Sequence, residues 1–216
     1  MKATATVLYL ERLPEIIIMP RPLRKCLPEV TYHCYSRCIE LRALLSETRV
    51  KDMAVESIAR ALEKYKFELI QIEFVDNHFH FIIRTVEGGE TISRIMQYIK
   101  ARIAERFNRA HGRIGPFWNE RFKSTIVEES LDPQNYFIHL AWHIAYNPVR
   151  KGLLQDPRKS THGTVRSYLE EDFIPKIKIT PHRYFLNLGK NFRERARQFA
   201  EYERSYRQCH ARFESE

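Results

Sequence analysis

These 216 residues contain nothing long and apolar enough to span a bilayer. The apolar run near the start, within EIIIMP, is far short of the roughly 20 residues a membrane helix needs. No hydrophobic stretch leads to a small-residue cleavage site, so no secretory leader is expected. Cysteine is sparse as well: Cys26, Cys34, Cys38 and Cys209 form neither a CxxC pair nor a repeated spacing. That argues against a thiolate zinc clasp or a disulfide framework. Cys34 and Cys38 fall in an expected strand and read as buried thiols of a cytoplasmic, reducing protein with no membrane contact. Internal repeats and low-complexity segments are also missing, which excludes a solenoid.

What is present indicates a folded core. Hydrophobic residues make up 44% and aromatics 12% of the chain, too many for general disorder. Lys and Arg number 36 against 27 acids, a net charge of +9 that suits a polyanionic partner. Residues 1–24, rich in proline and charge toward their end, read as an N-terminal extension. Residues 25–155 read as one domain, and residues 156–216 as a C-terminal extension.

Within the domain, VTYHCYSRCIEL alternates with β-formers and predicts a strand near residues 30–39. A helix over 47–65 follows, with Ser46 as a candidate cap and Met53, Ala54, Ile58, Ala61 and Leu62 at helical spacing. FELIQIEFV and HFHFIIRT are two strands joined at Asp76-Asn77. TISRIMQYIKARIAERFNRAHG predicts a second helix capped near Thr91 or Ser93 and ended by Gly112. RFKSTIVEE is a fourth strand. A third helix starts at the Asp132 cap with Pro133 in its first turn. It stops close to Asn147, because Pro148 disfavours helix at the residue before it. The order β-α-β-β-α-β-α predicts an α+β, ferredoxin-like split βαβ antiparallel sheet with helices on one face. A basic helix over about 190–213, with Phe192, Phe199, Tyr202 and Tyr206 at helical spacing that would dock it onto the domain, closes the chain.

Two features point to chemistry. His78 and His80 alternate along a strand, so they share a face about 7 Å apart and can converge on one divalent ion. Spacing alone favours a packed strand pair, and a third ligand and a nearby nucleophile are needed to make it a metal site. The stretch Arg94–Lys123 holds eight Lys or Arg against two Glu, interleaved with Tyr98, Phe107, Phe117, Trp118 and Phe122. Cations among aromatics suit phosphate contacts and stacking on unpaired bases. The candidates are Arg102, Arg106, Arg109, Arg113, Trp118, Arg121 and Lys123. GPFWNERF reads as an exposed turn.

RPLRK…YHCYSR, DNHFHFIIRT, FNRAHGRIGPFWNERFK and YFIHLAWHIAYNPVRKGLL together resemble the single-tyrosine HUH transposases, in particular the REP-associated tyrosine transposases. The resemblance runs from about Pro20 to Leu154. It implies a DNA transposase that binds hairpin or other single-stranded DNA, as a monomer or homodimer. His78, His80 and Asn147 would hold a divalent metal, Mg²⁺ or Mn²⁺. Arg150 of NPVR would join the DNA contacts. In that family a tyrosine one helical turn before the asparagine nicks the strand and forms a covalent protein–DNA link. Here the position holds His143. Three readings remain open: His143 attacks or activates water, Tyr146 or Tyr136 replaces the tyrosine, or the protein binds repeat hairpins without catalysis.

Overall fold

A computed structural model describes residues 24–213, so nearly all of the expected N-terminal extension lies outside the described residues. Strands β1 (Thr31–Arg37), β2 (Phe67–Phe74), β3 (His78–Thr85) and β4 (Lys123–Ile126) form one antiparallel sheet in the order β2-β3-β1-β4. Helix α1 (Thr48–Lys64) connects β1 to β2, and α2 (Ile92–Ala110) connects β3 to β4. This is the split βαβ, ferredoxin-like α+β arrangement that the element order predicts. Helix α3 (Pro133–Ala145), the short α4 (Asn147–Arg150) and α5 (Arg183–Leu186), and the long α6 (Phe192–Phe213) follow. Among the described residues no helix is long and apolar enough to cross a membrane.

Local chemistry explains most of the boundaries. Thr91 caps α2 by accepting from the Arg94 amide, and Gly112 continues past its end at φ +57°. Asp132 caps α3 by accepting from the Asn135 amide, with Pro133 as the first helical residue. The expected Ser46 cap does not form. Glu47 occupies the cap position without a side-chain bond, and the Ser46 amide bonds back to the Ala43 carbonyl. The GPFWNERF turn is exposed at Gly115, Pro116, Asn119 and Arg121 but not at its aromatic residues. Phe117 and Phe122 are buried, because the Cys38–Trp118 bridge and the Ile39 N–H to Phe117 carbonyl bond fold the turn back against β1. Cys34 and Cys38 are free, buried thiols, and burial pushes the Cys38 pKa up to about 12.

The sheet separates two cores, and this corrects the expectation of helices on one face. Tyr32, Cys34, Phe79, Phe81 and Ile83 pack with α1 and α2 on one side. Ile70 and Ile82 pack with α3 and α6 on the other. The reason lies in α3 itself: Phe137, Ile138, Leu140, Ala141, Trp142, Ile144 and Ala145 are all buried, more than one stripe can satisfy. The helix lies on the sheet and needs a second cover, which α6 supplies. Trp142 stacks on Phe199 at 4.7 Å and donates its indole N–H to the Phe199 carbonyl at 2.9 Å. The segment after residue 155 is therefore packed onto the domain through the aromatic stripe of α6.

A bulge in β2 makes the two-sided arrangement possible. Leu69 pairs with Ile83 and Gln71 with Ile82, so Ile70 is an extra residue beside the Ile82 pair. Strict alternation would turn Gln71 and Glu73 into the α1/α2 core. The bulge returns Ile72 and Phe74 to that core and leaves Ile70, Gln71 and Glu73 on the α3 side.

Candidate functional site

The α3 side of the sheet is polar where α3 does not cover it. In β1 and β3 the residues between the core positions are His33, Tyr35 and Arg37, and His78 and His80. The antiparallel register sets Tyr35 opposite His80 and Arg37 opposite His78. Across the sheet one row therefore reads Lys123, Tyr35, His80, Glu73. Alternation gathers these groups on one face although they come from four separate strands.

His78 and His80 meet at a single carboxamide. Asn147 Oδ1 lies 3.2 Å from His78 Nε2, and Asn147 Nδ2 lies 2.8 Å from His80 Nε2. The break between α3 and α4 delivers that side chain: α3 ends at Ala145, and Asn147 opens the next turn ahead of Pro148. All three residues are buried, at 8%, 7% and 7% exposure. Burial lowers the pKa of both histidines, and for His80 the neighbouring His33, His78 and His143 lower it further. Both rings are thus neutral, as metal ligation requires.

The outer nitrogens decide where the lone pairs point. Asn77 donates its amide N–H to the Leu41 carbonyl, so its Oδ1 faces His78 Nδ1, 2.6 Å away, and accepts that proton. His78 Nε2 is then a lone pair aimed at Asn147. His80 Nδ1 lies 2.9 Å from Nε2 of the buried His33, whose pKa burial depresses to about 4. When His80 donates to His33, Asn147 Nδ2 donates to His80 Nε2, and the His78 Nε2 lone pair faces the Asn147 oxygen, two acceptors that a bound cation would satisfy. With the carboxamide turned over, Asn147 donates to His78 and accepts from His80, and the cluster is fully paired without an ion. Amide and tautomer assignments follow from this network.

Two nitrogens and one carboxamide oxygen form a donor set that suits Mn²⁺ better than the oxygen-preferring Mg²⁺. Among the described residues no group of three His, Cys, Asp or Glu side chains assembles as a metal site, so a third protein donor beside the two histidines would have to be the amide. Cations surround the cluster. Arg37 and Lys151 act electrostatically on His78, and Arg150 on His80. Arg150 is held by donating to the His143 carbonyl at 2.9 Å and to the Tyr206 hydroxyl.

The three candidate nucleophiles separate. His143 lies one turn before Asn147, its ring 6.4 Å from that of His80 and perpendicular to it. Tyr146 turns away toward α6: its hydroxyl donates to Glu203 at 2.6 Å and its ring rests on Tyr206. Burial and the Glu203 carboxylate both raise the Tyr146 pKa, opposing ionisation. Tyr136, 36% exposed, lines a groove of about 800 Å³ along the edge strand β4.

The expected DNA contacts also divide. Arg121 and Lys123 line that groove beside Arg24 and Lys25. Arg102, Arg106 and Arg109 leave the outer side of α2, in the layer opposite the histidine pair. Arg102 and Arg109 pair with Glu105, and Arg106 with Glu56. Arg113 reaches Asn108 in the loop after α2. Trp118 is partly buried, edge-on to Phe79, and donates its indole N–H to the Lys100 carbonyl, so its ring serves packing.

Two residues of the cluster escaped the reading of the sequence, His33 and Tyr35. Tyr35 packs against both His33 and His80, with ring centroids at 5.6 and 5.7 Å. The signal was available, since YHCYSR alternates in the same way as HFHF, but the register that joins the two strands is not written in either.

Comparison with known proteins agrees with this architecture. Residues 26–139 match the family model described as "Transposase IS200 like". A Haemophilus influenzae protein named "Putative REP-associated tyrosine transposase" is 26% identical over 133 residues, covering 54% of this chain and 73% of the relative. A solved REP-associated tyrosine transposase bound to a REP hairpin superposes with a TM-score of 0.59 at 20% identity, covering 80% of this chain and 98% of that one. At that identity the structural likeness is one of fold.

Proposed function

The chain belongs to the IS200-like transposases, and from that premise we propose that it binds hairpin-bearing single-stranded DNA across the α3 side of its sheet, with His78, His80 and Asn147 holding a divalent metal. The observation that carries the reading is the convergence of both Nε2 atoms on the Asn147 carboxamide inside a ring of Arg37, Arg150 and Lys151. Neutral buried histidines beside Arg37, Arg150 and Lys151 support a place for a phosphate and its counter-ion over a packed strand pair. A bound divalent ion would offset the charge that builds on a scissile phosphate. The cations and the β4 groove would hold the strand on either side of it. Mn²⁺ fits the donor set, and Mg²⁺ is the competing occupant. Four free cysteines fit a reducing, cytoplasmic setting.

The test is fluorescence anisotropy with a pool of DNA hairpins carrying randomised single-stranded flanks, titrated with and without Mn²⁺. Expected are tighter binding to hairpins than to blunt duplex and a steep loss of affinity as salt rises. Equal binding to both DNAs, with no effect of Mn²⁺, would refute the assignment. A second reading, hairpin binding without catalysis, is favoured by His143 standing at the family's tyrosine position and by the capture of Tyr146 by Glu203.

A further inference from the structure

We infer that Tyr35, on strand β1, is the nucleophile of this chain. The inference rests on the function proposed above, hairpin DNA held at the His78/His80/Asn147 cluster. The tyrosine beside the asparagine is unavailable, because the Tyr146 hydroxyl is bound to Glu203 and its ring lies under α6. Tyr35 is the tyrosine whose ring stacks on the histidines themselves. It lies 5.7 Å from His80 with the two planes within 28°, on the neighbouring strand and on the same face.

The ring contact and the strand register set Tyr35 beside the cluster proposed to take the phosphate. A phenol oxygen stands farther from its Cα than an imidazole Nε2 does. Two roughly parallel rings on adjacent strands therefore put the Tyr35 oxygen beyond the level at which His80 Nε2 ends. The ring is half-buried and packs against the bonded His33–His80 pair, with centroids 5.6 and 5.7 Å away. Its hydroxyl forms no hydrogen bond to any described residue, in contrast to Tyr146, Tyr32 and Tyr168, whose hydroxyls are all engaged. Lys123 flanks it in the same row of the sheet, and Arg37 follows it on the same face of β1. A fixed ring, an unengaged hydroxyl and adjacent cations form a poised attacking group beside the phosphate site.

The step balances without a further reactant. The Tyr35 oxygen bonds to phosphorus as its proton passes to water. The bond from phosphorus to the 3′ oxygen breaks, and that oxygen takes up a proton to become a free 3′-hydroxyl. The product is a 5′-phosphotyrosine link. Attack of a 3′-hydroxyl on the same phosphorus reverses the step and restores the phenol.

The experiment incubates the full chain with the randomised-flank hairpin pool and Mn²⁺, resolves denaturation-resistant protein–DNA adducts, and maps the modified peptide by tandem mass spectrometry. The expected result is an adduct on Tyr35 that is lost in Tyr35→Phe and kept in Tyr136→Phe and Tyr146→Phe. Tyr35→Phe retains the ring, so hairpin affinity and melting temperature should not change, which separates loss of the nucleophile from loss of the fold. An adduct on another residue, nicking without an adduct, or hairpin binding with no cleavage would each overturn the inference and leave the DNA-binding assignment standing. No hairpin binding by the unaltered chain would overturn both.

Discussion

Along β3, Phe79, Phe81 and Ile83 enter the core beneath α1 and α2, while His78 and His80, the residues between them, line the opposite face. All five are buried to within 8% exposure, yet burial does opposite things on the two faces. On the first face, removing apolar surface from water stabilises the fold. On the second, desolvating imidazoles and the Glu73 carboxyl costs free energy unless each polar atom finds a partner. His33, Asn77, Asn147 and Ser160 supply those partners. The contrast teaches that the α1/α2 side maintains the fold, whereas the α3 side retains buried polarity that stability alone does not favour.

Substitutions should separate the faces. Phe81→Ala, in the centre of the apolar core, should show the largest stability effect, about 3–5 kcal/mol by chemical denaturation. Glu73→Gln tests the other face. Burial raises the Glu73 pKa to about 8, despite the opposing hydrogen bond from Ser160. In the unfolded chain a glutamate titrates near 4.5. Unaltered protein should therefore lose stability as pH rises from that value through the folded one, and Glu73→Gln should not. The variant should match the parent near pH 5 and melt at a higher temperature above pH 8; identical pH profiles would show that the carboxyl is not desolvated.

His33→Leu removes the acceptor that orients His80 and should weaken Mn²⁺ binding about 10–100-fold by calorimetry. His33→Gln keeps an acceptor and should recover most of that loss; equal loss in both variants would mean His33 only packs. The smallest effects concern the cations. Arg37→Ala, at the site, should lower the salt slope of hairpin binding by about 1. Arg109→Ala, beyond the apolar face and paired with Glu105, should leave the slope unchanged. The reverse result would place the DNA on the α2 side.

Much of the fold could be read in advance because its signals are local. The Asp132 and Thr91 caps, the Pro148 stop and the period of the strands each lie within a few residues of what they determine. The aromatic stripe of α6 marked it as a helix that docks onto the domain, but that it and α3 form a layer on the second face was missed, because the two are more than fifty residues apart. The Ile70 bulge was missed because one extra residue leaves no compositional mark. At the site, His78, His80 and Asn147 were joined through likeness to a family, since the His-x-His spacing alone favours a packed strand pair. The place of His33 and Tyr35 depends on strand register, which pairs residues some 45 positions apart. The capture of Tyr146 by Glu203 depends on α6 and could not be read from the helix that carries the tyrosine.

The most direct test of the metal site is calorimetric titration of Mn²⁺ into the protein–hairpin complex, comparing the unaltered chain with the His78→Ala/His80→Ala double variant. The account predicts one ion per chain at saturation and loss of that binding in the variant, which still folds because its α1/α2 core is untouched. Undiminished Mn²⁺ binding in a folded double variant would contradict it.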